Sequence, residues 1–365
     1  MRIIQVINVR WFNATAWYGL FLGQLFAQRG HKVLILCLPK TQTLNKVKQT
    51  GLSYKTLELN TNNPLKIVHT YLQLQQIIKE FKPDIINCHR GEAFILFGLL
   101  AKKFKYKLIR TRGDQRLPKN NIFNLWLHRK VAKAVIATNS RMFNHFTHAL
   151  RVPKEKLFLV IGGVDTQKFY ASPKERQQTR ADLKFNSNHF VVGLLGRFDK
   201  VKGQKQLIQA ISILYNQKKI NHIRLLLIGF SSALSENTIK NWLHQYKIAE
   251  ITTITGKISN PRAFINALDL GIVASLYSET IIRAGLEIMA CKIPLIGTKV
   301  GVLPDILPQN ALVSPNNPKE LAKKIEKCLD PNFKINILKS EQETISKLTE
   351  QTFYQKTLRI YEQAK

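Results

Sequence analysis

The chain has 365 residues, and 45% of them are hydrophobic, which is enough to bury substantial cores and excludes a disordered chain. At roughly 100–200 residues per domain, this length predicts two domains. Lys and Arg total 56 against 23 Asp and Glu, so the formal net charge is +33. Such a charge favours an anionic partner but does not choose among nucleic acid, a phosphorylated substrate and an anionic membrane surface.

The cysteines and the hydropathy of the chain bear on its location. Cys37, Cys88, Cys291 and Cys328 form no CxxC pair and have no zinc-like spacing to histidine, which predicts free thiols in a reducing cytoplasm. The first residues enter a strand pattern directly and do not resemble a signal peptide. The longest apolar run, AFILFGLLA (93–101), is much shorter than the ~20 residues of a transmembrane helix.

Runs rich in Ile, Val and Leu recur along the chain, and each is followed by a longer amphipathic segment. The runs of the first half are 3–8, 32–38, 54–59, 84–89, 107–112, 134–138 and 157–161. After a polar stretch beyond residue 170, runs follow at 191–196, 223–229, 251–256, 270–275, 293–298 and 311–314. Continuous apolar strands that alternate with helices predict parallel sheets covered on both faces. The sequence therefore predicts two doubly wound α/β domains in series.

Ligands of such domains bind beyond the carboxyl ends of the strands. Two such domains facing one another would create a deep cleft. Each loop after a strand is therefore a predicted ligand position. These loops are 8–16, 89–92, 110–116, 196–203, 229–232, 256–259 and 275–282.

The loop GRFDKVKG (196–203) follows the first strand of the second domain. We interpret Gly196 as the residue that permits a tight exit from the strand, and Gly203 as the opening of a helix. Arg197 and Lys202 would then lie beside a helix N-terminus, where backbone N–H groups and two cations suit a diphosphate. The alternative is that both are ordinary basic residues on solvated turns.

Glu279 and Glu287, with seven residues between them, lie at the start of an apolar helix predicted over about 280–291. Carboxylates in this position would accept charge-assisted hydrogen bonds from the hydroxyl groups of a sugar or a ribose. Alternatively, Glu287 is an i,i+4 neighbour of Arg283, and the two could form a helix-surface ion pair worth about 0.2–0.5 kcal/mol. Periodicity does not exclude this alternative.

The pattern SxxSExxxxxxLExMAxxxPLIGTxVG, which ends at Gly301, resembles the signature of the retaining GT-B glycosyltransferases of family 4. GGVD (162–165) resembles the interdomain turn of that family, and GRFDKVKG (196–203) resembles its phosphate-binding loop. FAQRGHKV (26–33) resembles the end of the first helix and the start of the second strand. FYQKTLRIYEQ (353–363) resembles the terminal helix that crosses back onto the first domain. The motifs occur in order and at the expected spacing over nearly the whole chain.

The resemblance implies an α/β protein of the GT-B fold, with two Rossmann-like doubly wound domains facing one another across a cleft. Residues 1–166 would form the N-terminal domain on the acceptor side, and a C-terminal helix at 350–365 would cross back onto it. Residues 167–349 would form the C-terminal domain, which would bind a nucleotide sugar.

For the second domain, the resemblance implies a site for the sugar donor. Arg197 and Lys202 would bind its diphosphate, and residues 256–258 would lie near its base. Glu287 would accept from the ribose hydroxyls, while Glu279 would hold the transferred sugar with help from backbone N–H groups at the helix start. The implied donor-binding residues are Gly196, Arg197, Lys202, Gly229, Gly256, Lys257, Ile258, Glu279, Thr280, Ile281, Ile282 and Glu287.

His89 lies at a strand end in the first domain, and the resemblance implies that it faces the donor sugar and the reaction centre. The predicted catalytic residues are therefore His89, Glu279, Arg197 and Lys202. The alternative for His89 is a polar residue whose hydrogen bonds are satisfied beneath the cleft.

Two departures from the family pattern concern the loops that touch the sugar or its acceptor. Many members have a glycine pair after the first strand, where this chain has Asn13 and Ala14, and many have Gly-Phe-Gly after the first carboxylate, where it has Thr-Ile-Ile. TRGDQRLPK (111–119) follows a strand and could bind an anionic acceptor or be a charged surface loop. The predicted acceptor residues are Asn13, Ala14, Thr15, Arg112, Asp114 and Arg116.

The segment NIFNLWLHRKVAK (121–133) combines apolar and basic side chains. It could rest on an anionic bilayer with Phe123 and Trp126 at the headgroup level. It could equally be a helix that packs on its sheet and has a solvated basic side.

The sequence as a whole predicts a glycosyltransferase of class EC 2.4 that moves a sugar from a nucleotide-diphosphate donor to a hydroxyl acceptor with retention. The donor would be a UDP-, GDP- or ADP-sugar, with no tightly bound cofactor, and no obligatory metal is expected because no Asp-x-Asp ends a strand in the cleft. The basic charge suggests a glycan or glycolipid acceptor, as in lipopolysaccharide synthesis. The predicted location is cytoplasmic, peripheral on the inner face of the cytoplasmic membrane.

Two other classes of protein are weighed against this prediction. A basic nucleic-acid-binding protein on a Rossmann-like scaffold would explain the charge equally well, but not the two carboxylates at a helix start, and no RNA or DNA module is recognisable. A phosphorylase of the same double fold would need a pyridoxal-phosphate lysine context that the second domain does not show. Nucleic acid is therefore not expected as a partner.

Overall fold

The computed structural model describes residues 1–364, and the chain divides into two compact units. The first unit contains Met1–Gly162 together with the residues from Glu350 onward, and the second contains Gly163–Thr349. The division lies a few residues before the boundary that the sequence pattern places after residue 166. No helix in this described part of the chain is long and apolar enough to cross a membrane.

The first unit is built around a parallel sheet. Its strands are β1 (Arg2–Ile7), β2 (Lys32–Cys37), β3 (Ser53–Thr56), β4 (Ile85–Cys88), β5 (Lys107–Arg112), β6 (Ala134–Ala137) and β7 (Leu157–Leu159). Its helices up to residue 162 are α1 (Ala14–Ala27), α2 (Gln42–Lys48), α3 (Pro64–Phe81), α4 (Phe94–Phe104), α5 (Ile122–Trp126) and α6 (Ser140–His148). The strand order is β3-β2-β1-β4-β5-β6-β7, and helices cover the sheet, as apolar strands require.

The second unit repeats this architecture. Its strands are β8 (Phe190–Leu195), β9 (Ile223–Ile228), β10 (Thr252–Ile254), β11 (Leu270–Val273), β12 (Leu295–Thr298) and β13 (Leu312–Val313). Its helices are α7 (Pro173–Asp182), α8 (Gln204–Ser212), α9 (Glu236–Gln245), α10 (Pro261–Asn266), α11 (Arg283–Ala290), α12 (Leu303–Ile306), α13 (Pro318–Lys327) and α14 (Pro331–Ile345). The strands are parallel, in the order β10-β9-β8-β11-β12-β13.

Each apolar run that predicts a strand forms one within the described residues, so the prediction of doubly wound α/β units is confirmed. The ends differ by a few residues. The run at 54–59 forms only Ser53–Thr56, whose side chains are exposed at the edge of the sheet. Helix starts are fixed by local chemistry, since side-chain oxygens of Asn, Thr and Ser at the N-caps accept from backbone N–H groups. These residues include Asn13, Thr41, Asn63, Asn121, Asn139, Ser172 and Ser235.

The last helix, α15 (Glu350–Gln363), belongs to the first unit and packs against α1. The Tyr361 ring stacks on Phe26 with ring centroids 5.2 Å apart. The Tyr361 hydroxyl accepts hydrogen bonds from Gln5 at 3.2 Å and Asn87 at 2.8 Å, two buried side chains on β1 and β4. The first unit therefore gains part of its core from the end of the chain.

In both sheets the direction of winding reverses beside the first strand. β1 lies between β2 and β4, and β8 lies between β9 and β11. Ligands of doubly wound folds bind at this switch point, beyond the carboxyl ends of the strands. The loops after β1 and β4 and the loops after β8 and β11 are therefore the expected ligand positions.

Candidate active site

The loops after β8 and β11 meet at an ion pair in the second unit. The Lys202 ammonium lies 3.1 and 2.8 Å from the two carboxylate oxygens of Glu279. Ser275 Oγ donates to the same carboxylate over 2.6 Å. Because the Glu279 side chain is only 5% exposed, the pair is largely shielded from water. The structure thus brings Lys202 and Glu279, two predicted site residues, together at the switch point.

Two glycines allow the backbone to approach closely around this pair. Gly203 has a φ of +72°, and a side chain there would meet the carbonyl oxygen of Ala274 at 2.0 Å. Gly301 has a φ of +61°, and a side chain there would meet the carbonyl oxygen of Glu279 at 2.0 Å. That carbonyl accepts from the Val302 N–H at 2.8 Å. Glycine is therefore required at both positions, although no role was predicted for Gly301.

Arg197 lies on the loop after β8, with 43% of its side chain exposed, and pairs with Asp199 at 2.9 Å. Asp199 also accepts from the Val201 N–H at 3.1 Å. The Arg197 carbonyl accepts from Gln204 Nε2 at 2.9 Å. The guanidinium is thus held on one side and has further N–H donors that can bind an anion. Asp199, which orients it, was missed because its role depends on the shape of the turn.

The prediction that Gly196 is needed for a tight exit from β8 is wrong. Gly196 does not have a positive φ, and no atom lies within 4 Å of the position that a side chain would take. The close approach instead requires Gly229, after β9, where a side chain would meet the Gly196 carbonyl oxygen at 2.1 Å.

Glu287 lies on α11 and is buried. Arg283 Nε donates to its Oε1 over 2.7 Å, so the i,i+4 pair of the alternative interpretation forms. The pair is exposed only on its arginine side, because the Arg283 side chain is 40% exposed and the Glu287 side chain 6% exposed. Burial raises the pKa of the Glu287 carboxyl, and the charge of Arg283 opposes that rise. A buried carboxylate with one ion-pair partner keeps acceptor capacity for ligand hydroxyl groups.

Helix α11 begins at Arg283, later than the start predicted within 280–282. Ile281 and Ile282 are buried, because their side chains enter the core. Residues 280–282 therefore form the turn before the helix. Any contact that Ile281 and Ile282 make with a donor would come from their backbone.

Gly256, Lys257 and Ile258 also lie at the carboxyl ends of the strands, farther from β11. They follow β10, the edge strand, which β9 separates from β8. At about 4.8 Å per strand, they lie about 10 Å from the loop after β8. Gly256 has a φ of +68°, with no atom within 4 Å of its side-chain position. This part of the edge is therefore open.

His89 follows β4 in the first unit and is buried. Its Nε2 lies 2.8 Å from Gln5 Oε1, so Nε2 donates. Its Nδ1 is buried and has no hydrogen-bond partner in the part of the chain that the structure describes. Burial and the charge of Arg110 lower the pKa of His89 to about 3. The ring is therefore neutral near pH 7. Because Nδ1 has no partner among the described residues, the hydrogen bonds of His89 are only partly satisfied, which differs from the alternative interpretation, and its catalytic role stays a prediction.

The predicted acceptor residues after β1 have partners within the fold. Asn13 Oδ1 accepts from the Ala16 N–H at 3.1 Å and caps α1, of which Ala14 is the first residue. Thr15 is buried and donates to the Gly113 carbonyl at 3.2 Å. Asn13 and Thr15 therefore fix this loop, and contact of either with an acceptor stays a prediction.

The other predicted acceptor residues form an ordered ionic cluster after β5. Arg112 Nη1 lies 3.1 Å from the Asp114 carboxylate, which is also 3.6 Å from Arg90 Nη1. Arg112 Nη2 donates to the Arg116 carbonyl at 2.6 Å, while the Arg116 side chain is exposed. The loop is therefore held in one shape, unlike a freely solvated charged loop.

A cavity of 490 Å³ opens at the carboxyl ends of β1, β2 and β3. Trp11 lines it and is 63% exposed, together with Arg10, Lys40 and Glu58. The volume lies within the range of small-molecule sites. The loop 8–16 is among the predicted ligand positions, but Trp11 was not singled out. Its position in a loop after a strand was the available signal.

The segment 121–133 combines features of both sequence interpretations. Ile122 and Phe123 are exposed, whereas Leu127 is buried. Trp126 packs against the core of the first unit. Trp126 is partly buried, so Ile122 and Phe123 offer the larger exposed apolar surface, and contact of Phe123 and Trp126 with lipid headgroups stays a prediction.

A second exposed apolar surface, which the sequence pattern did not predict, lies on α3. Leu65, Val68 and Leu72 are exposed, with Leu65 at 81%. Their spacing of three and four residues puts them on one face of the helix. Leu74 and Ile78 on the same helix are buried in the core.

Two protein-family models match the chain. Residues 175–347 match the model of Glycosyl transferases group 1, and residues 18–168 match the model of Glycosyltransferase Family 4. The two ranges together span most of the chain. The chain therefore belongs to these glycosyltransferases and is a transferase enzyme.

Two curated proteins are similar in sequence to this chain over most of its length. N-acetyl-alpha-D-glucosaminyl L-malate synthase of Bacillus anthracis is 23% identical over 305 residues, which are 79% of this chain and 76% of the relative. The capsular polysaccharide biosynthesis glycosyltransferase CapM of Staphylococcus aureus is 26% identical over 276 residues, which are 71% of this chain and 70% of the relative.

Solved glycosyltransferases have the same fold. One from Rickettsia africae has a TM-score of 0.86 at 21% identity, covering 99% of this chain and 98% of that one. Anabaena HepE in complex with UDP has a TM-score of 0.85 at 19% identity, covering 99% and 100%. At these identities the similarity shows the fold, and the predicted GT-B class is confirmed.

Proposed function

We propose that the enzyme transfers a sugar from a nucleotide-diphosphate donor to a hydroxyl group of a glycan or glycolipid, with retention of anomeric configuration, in cell-surface glycan synthesis. The main support is the Lys202–Glu279 pair at the switch point of the second unit. A cation beside a shielded carboxylate suits a ligand that carries both phosphate and hydroxyl groups. The HepE complex with UDP and glucose and the capsular relative CapM agree with this class of substrate.

Each residue of the pair would have a separate task. Lys202, with Arg197, would bind the donor diphosphate, and Glu279 would accept from hydroxyl groups of the transferred sugar. Glu287 would accept from the ribose, and residues 256–258 would lie near the base, about two strand spacings away.

The reaction breaks the bond between the anomeric carbon and the diphosphate and forms a bond to the acceptor oxygen. Negative charge develops on the leaving diphosphate, where Lys202 and Arg197 would stabilise it. A diphosphate oxygen would take the acceptor proton on the face from which it leaves, which gives retention. Since two side-chain cations supply the charge stabilisation, we propose that no divalent metal is needed.

The first unit would bind the acceptor. The cavity beside Trp11 offers an exposed indole surface among polar groups, which suits the apolar face and the hydroxyl groups of a saccharide. The cationic side chains Arg10 and Lys40 on the same cavity would favour an acidic or phosphorylated saccharide.

We also propose that the enzyme works on the inner face of the cytoplasmic membrane. The exposed Leu65, Val68 and Leu72 on α3, and Ile122 and Phe123 on α5, would enter the interfacial layer. The net charge of +33 would attract anionic lipid, at about 1 kcal/mol for each basic residue near the surface. A lipid-linked acceptor, such as one in lipopolysaccharide synthesis, would then be within reach.

The test is a screen of donor hydrolysis across UDP-, GDP- and ADP-sugars, with and without EDTA. We expect one nucleotide class to be hydrolysed, at the same rate with EDTA. Loss of hydrolysis in EDTA that Mg²⁺ restores would contradict the metal-independent mechanism. Thermal stabilisation by oligonucleotides and by no nucleotide sugar would favour a nucleic-acid partner.

A further inference from the structure

Arg110, on β5 of the first unit, is buried outside the residues assigned to the donor. Its Nη1 donates to the carbonyls of Cys88 at 2.7 Å and Thr111 at 3.0 Å. Its Nη2 is also buried and has no hydrogen-bond partner among residues 1–364. The Phe94 ring, 5.5 Å from the guanidinium carbon, offsets part of the cost of burying the charge. An unpaired donor on a buried cation is nevertheless unfavourable.

The carboxylates around Arg110 are paired with other cations. Asp114 pairs with Arg112 at 3.1 Å, and Glu92 pairs with Arg90. Arg110 itself forms no ion pair with the described residues. Three cations therefore lie near two carboxylates. Burial and the charge of Arg112 lower the pKa of Arg110 to about 9, as expected for an incompletely compensated charge.

The two guanidinium groups of β5 face one position beside Gly91. A methyl group on Gly91 would lie 3.7 Å from Arg110 Nη2 and 3.5 Å from Arg112 Nη1. Apart from the chain neighbours of Gly91, no other described atom lies within 4 Å of that position. Gly91 is exposed, so solvent reaches it. Helix α4 begins close by, and its N-cap Ala93 makes no side-chain hydrogen bond.

We propose that this position binds one oxyanion, a phosphoryl group, between Arg110 and Arg112. Guanidinium N–H groups match the oxygens of a phosphoryl group in both geometry and charge. The anion would pair with Arg110 Nη2 and compensate the third cation, and the nearby N-terminus of α4 would add a favourable dipole. The site adds Arg110 and Gly91 to the cluster predicted for an acceptor. Anion binding stands on this geometry alone, whereas assigning the phosphoryl group to the acceptor rests on the proposed function.

The test is a calorimetric titration of the full-length Lys202→Ala variant with inorganic phosphate at constant ionic strength. On the proposed function, the Lys202 change should weaken phosphate binding in the second unit. In this background, Gly91→Ala places a methyl group in the site at an ordinary contact distance and at a φ that alanine adopts. We expect it to lower phosphate affinity at least tenfold. The matched control is Lys119→Ala, which removes an exposed cation from the neighbouring loop and should change affinity less than twofold.

The proposed site would be overturned if Gly91→Ala left the phosphate affinity of the Lys202→Ala parent unchanged. It would also be overturned if the parent showed no saturable phosphate binding. Arg110→Met should also abolish binding, and Gly91→Ala keeps the test valid should that variant fail to fold. A second titration with glycerol 1-phosphate identifies the source of the anion. Tighter binding than inorganic phosphate supports an organic phosphate such as the acceptor, and equal or weaker binding overturns that assignment. Failure of donor hydrolysis would contradict the proposed function and leave both titrations unaffected.

Discussion

Glu279 depends on its neighbours, because a carboxylate that is shielded from water needs a cation or several hydrogen bonds. Lys202 supplies the cation, and Ser275 supplies one hydrogen bond. We also propose that the lysine binds the diphosphate of the donor. Removing it should therefore affect both the fold and the ligand.

We predict that Lys202→Ala weakens nucleotide-diphosphate binding about tenfold or more, since a hydrogen bond to a charged group contributes roughly 1.5–3 kcal/mol. The measurement is the calorimetric Kd. The control is Lys200→Ala, which removes an exposed cation from the same loop and should leave Kd within twofold. Equal affinity in the two variants would remove Lys202 from the donor site.

The ion pair between Arg283 and Glu287 has two interpretations, which a variant of Glu287 distinguishes. If it binds ribose, Glu287→Gln should raise the nucleotide Kd severalfold, because charge-assisted acceptance is about twice as strong as acceptance by a neutral group. A pair that serves only the helix predicts a small change in Tm and an unchanged Kd. Measuring both quantities on one preparation decides between them, with Arg283→Gln as the partner control.

Sequence motifs predicted that Lys202 and Glu279 lie in loops after strands of the second unit, and the structure brings the two together. Ser275, Asp199 and Gly301 were not assigned roles, because their contacts form only when separate loops come together. Arg110 was hidden for a similar reason. It lies within an apolar strand of the sequence pattern. Only the structure shows that its Nη2 has no hydrogen-bond partner in the described part of the chain and lies beside Gly91 and Arg112.

At the scale of elements, α3 has apolar residues both on its buried face and on an exposed face. We predict that Leu65→Asp with Leu72→Asp reduces pelleting with anionic vesicles, because the apolar contribution of α3 is lost while the basic charge and the exposed Ile122 and Phe123 remain. Co-sedimentation with anionic and neutral vesicles measures this. Ile335→Asp changes an exposed apolar residue of the second unit and is the control. Unchanged pelleting of the α3 variant would contradict the proposed surface.

Helix α14 is tied to β12 by a buried carboxylate. Glu341 is fully buried, and both its oxygens accept from the Leu295 N–H, at 3.1 and 3.2 Å. Burial raises the pKa of the Glu341 carboxyl well above its usual value. The folded state therefore binds this proton more tightly than the unfolded state does. The free energy of unfolding should fall as the pH rises from about 4.5 towards the raised pKa.

We predict that Glu341→Gln removes this loss, since glutamine keeps an acceptor for Leu295 and cannot ionise. The free energy of unfolding of the variant, relative to that of the wild type, should increase with pH. The increase is up to about 1.4 kcal/mol for each unit by which burial raises the pKa of Glu341. Urea denaturation between pH 5 and 8 measures the difference. A difference that does not change with pH would show that Glu341 is ionised normally in the folded protein.

Strands were predictable because a buried parallel strand is a short continuous apolar run, whichever sheet it joins. The apolar stripe of α3 was not, because hydropathy cannot tell which of two apolar faces the rest of the unit covers. The start of α11 was misplaced for a related reason: Ile281 and Ile282 are buried as a turn and resemble helix residues in pattern.

At the scale of the whole molecule, the first unit is closed by a helix from the far end of the chain. We predict that Tyr361→Phe destabilises this unit by about 1–3 kcal/mol, because Gln5 and Asn87 lose the hydroxyl to which both donate. Hydrogen exchange resolved by segment should show faster opening in residues 1–162 and unchanged opening in residues 163–349. Tyr215→Phe, which removes a hydroxyl bonded to Glu250 in the second unit, is the control. An equal increase in hydrogen exchange in both units would contradict the expectation that the loss of this hydroxyl affects the core of the first unit alone.

The position of α15 in the sequence has a consequence for biosynthesis. A ribosome makes the chain from the N-terminus, so all of the second unit has been synthesised before Glu350 is added. Until then Phe26 lacks its stacking partner Tyr361, and Gln5 lacks the hydroxyl to which it donates. We therefore expect the second unit to mature first on the nascent chain, although its residues emerge later. The first unit would stay incompletely packed until α15 is synthesised. It would therefore be the part that chaperones bind during translation.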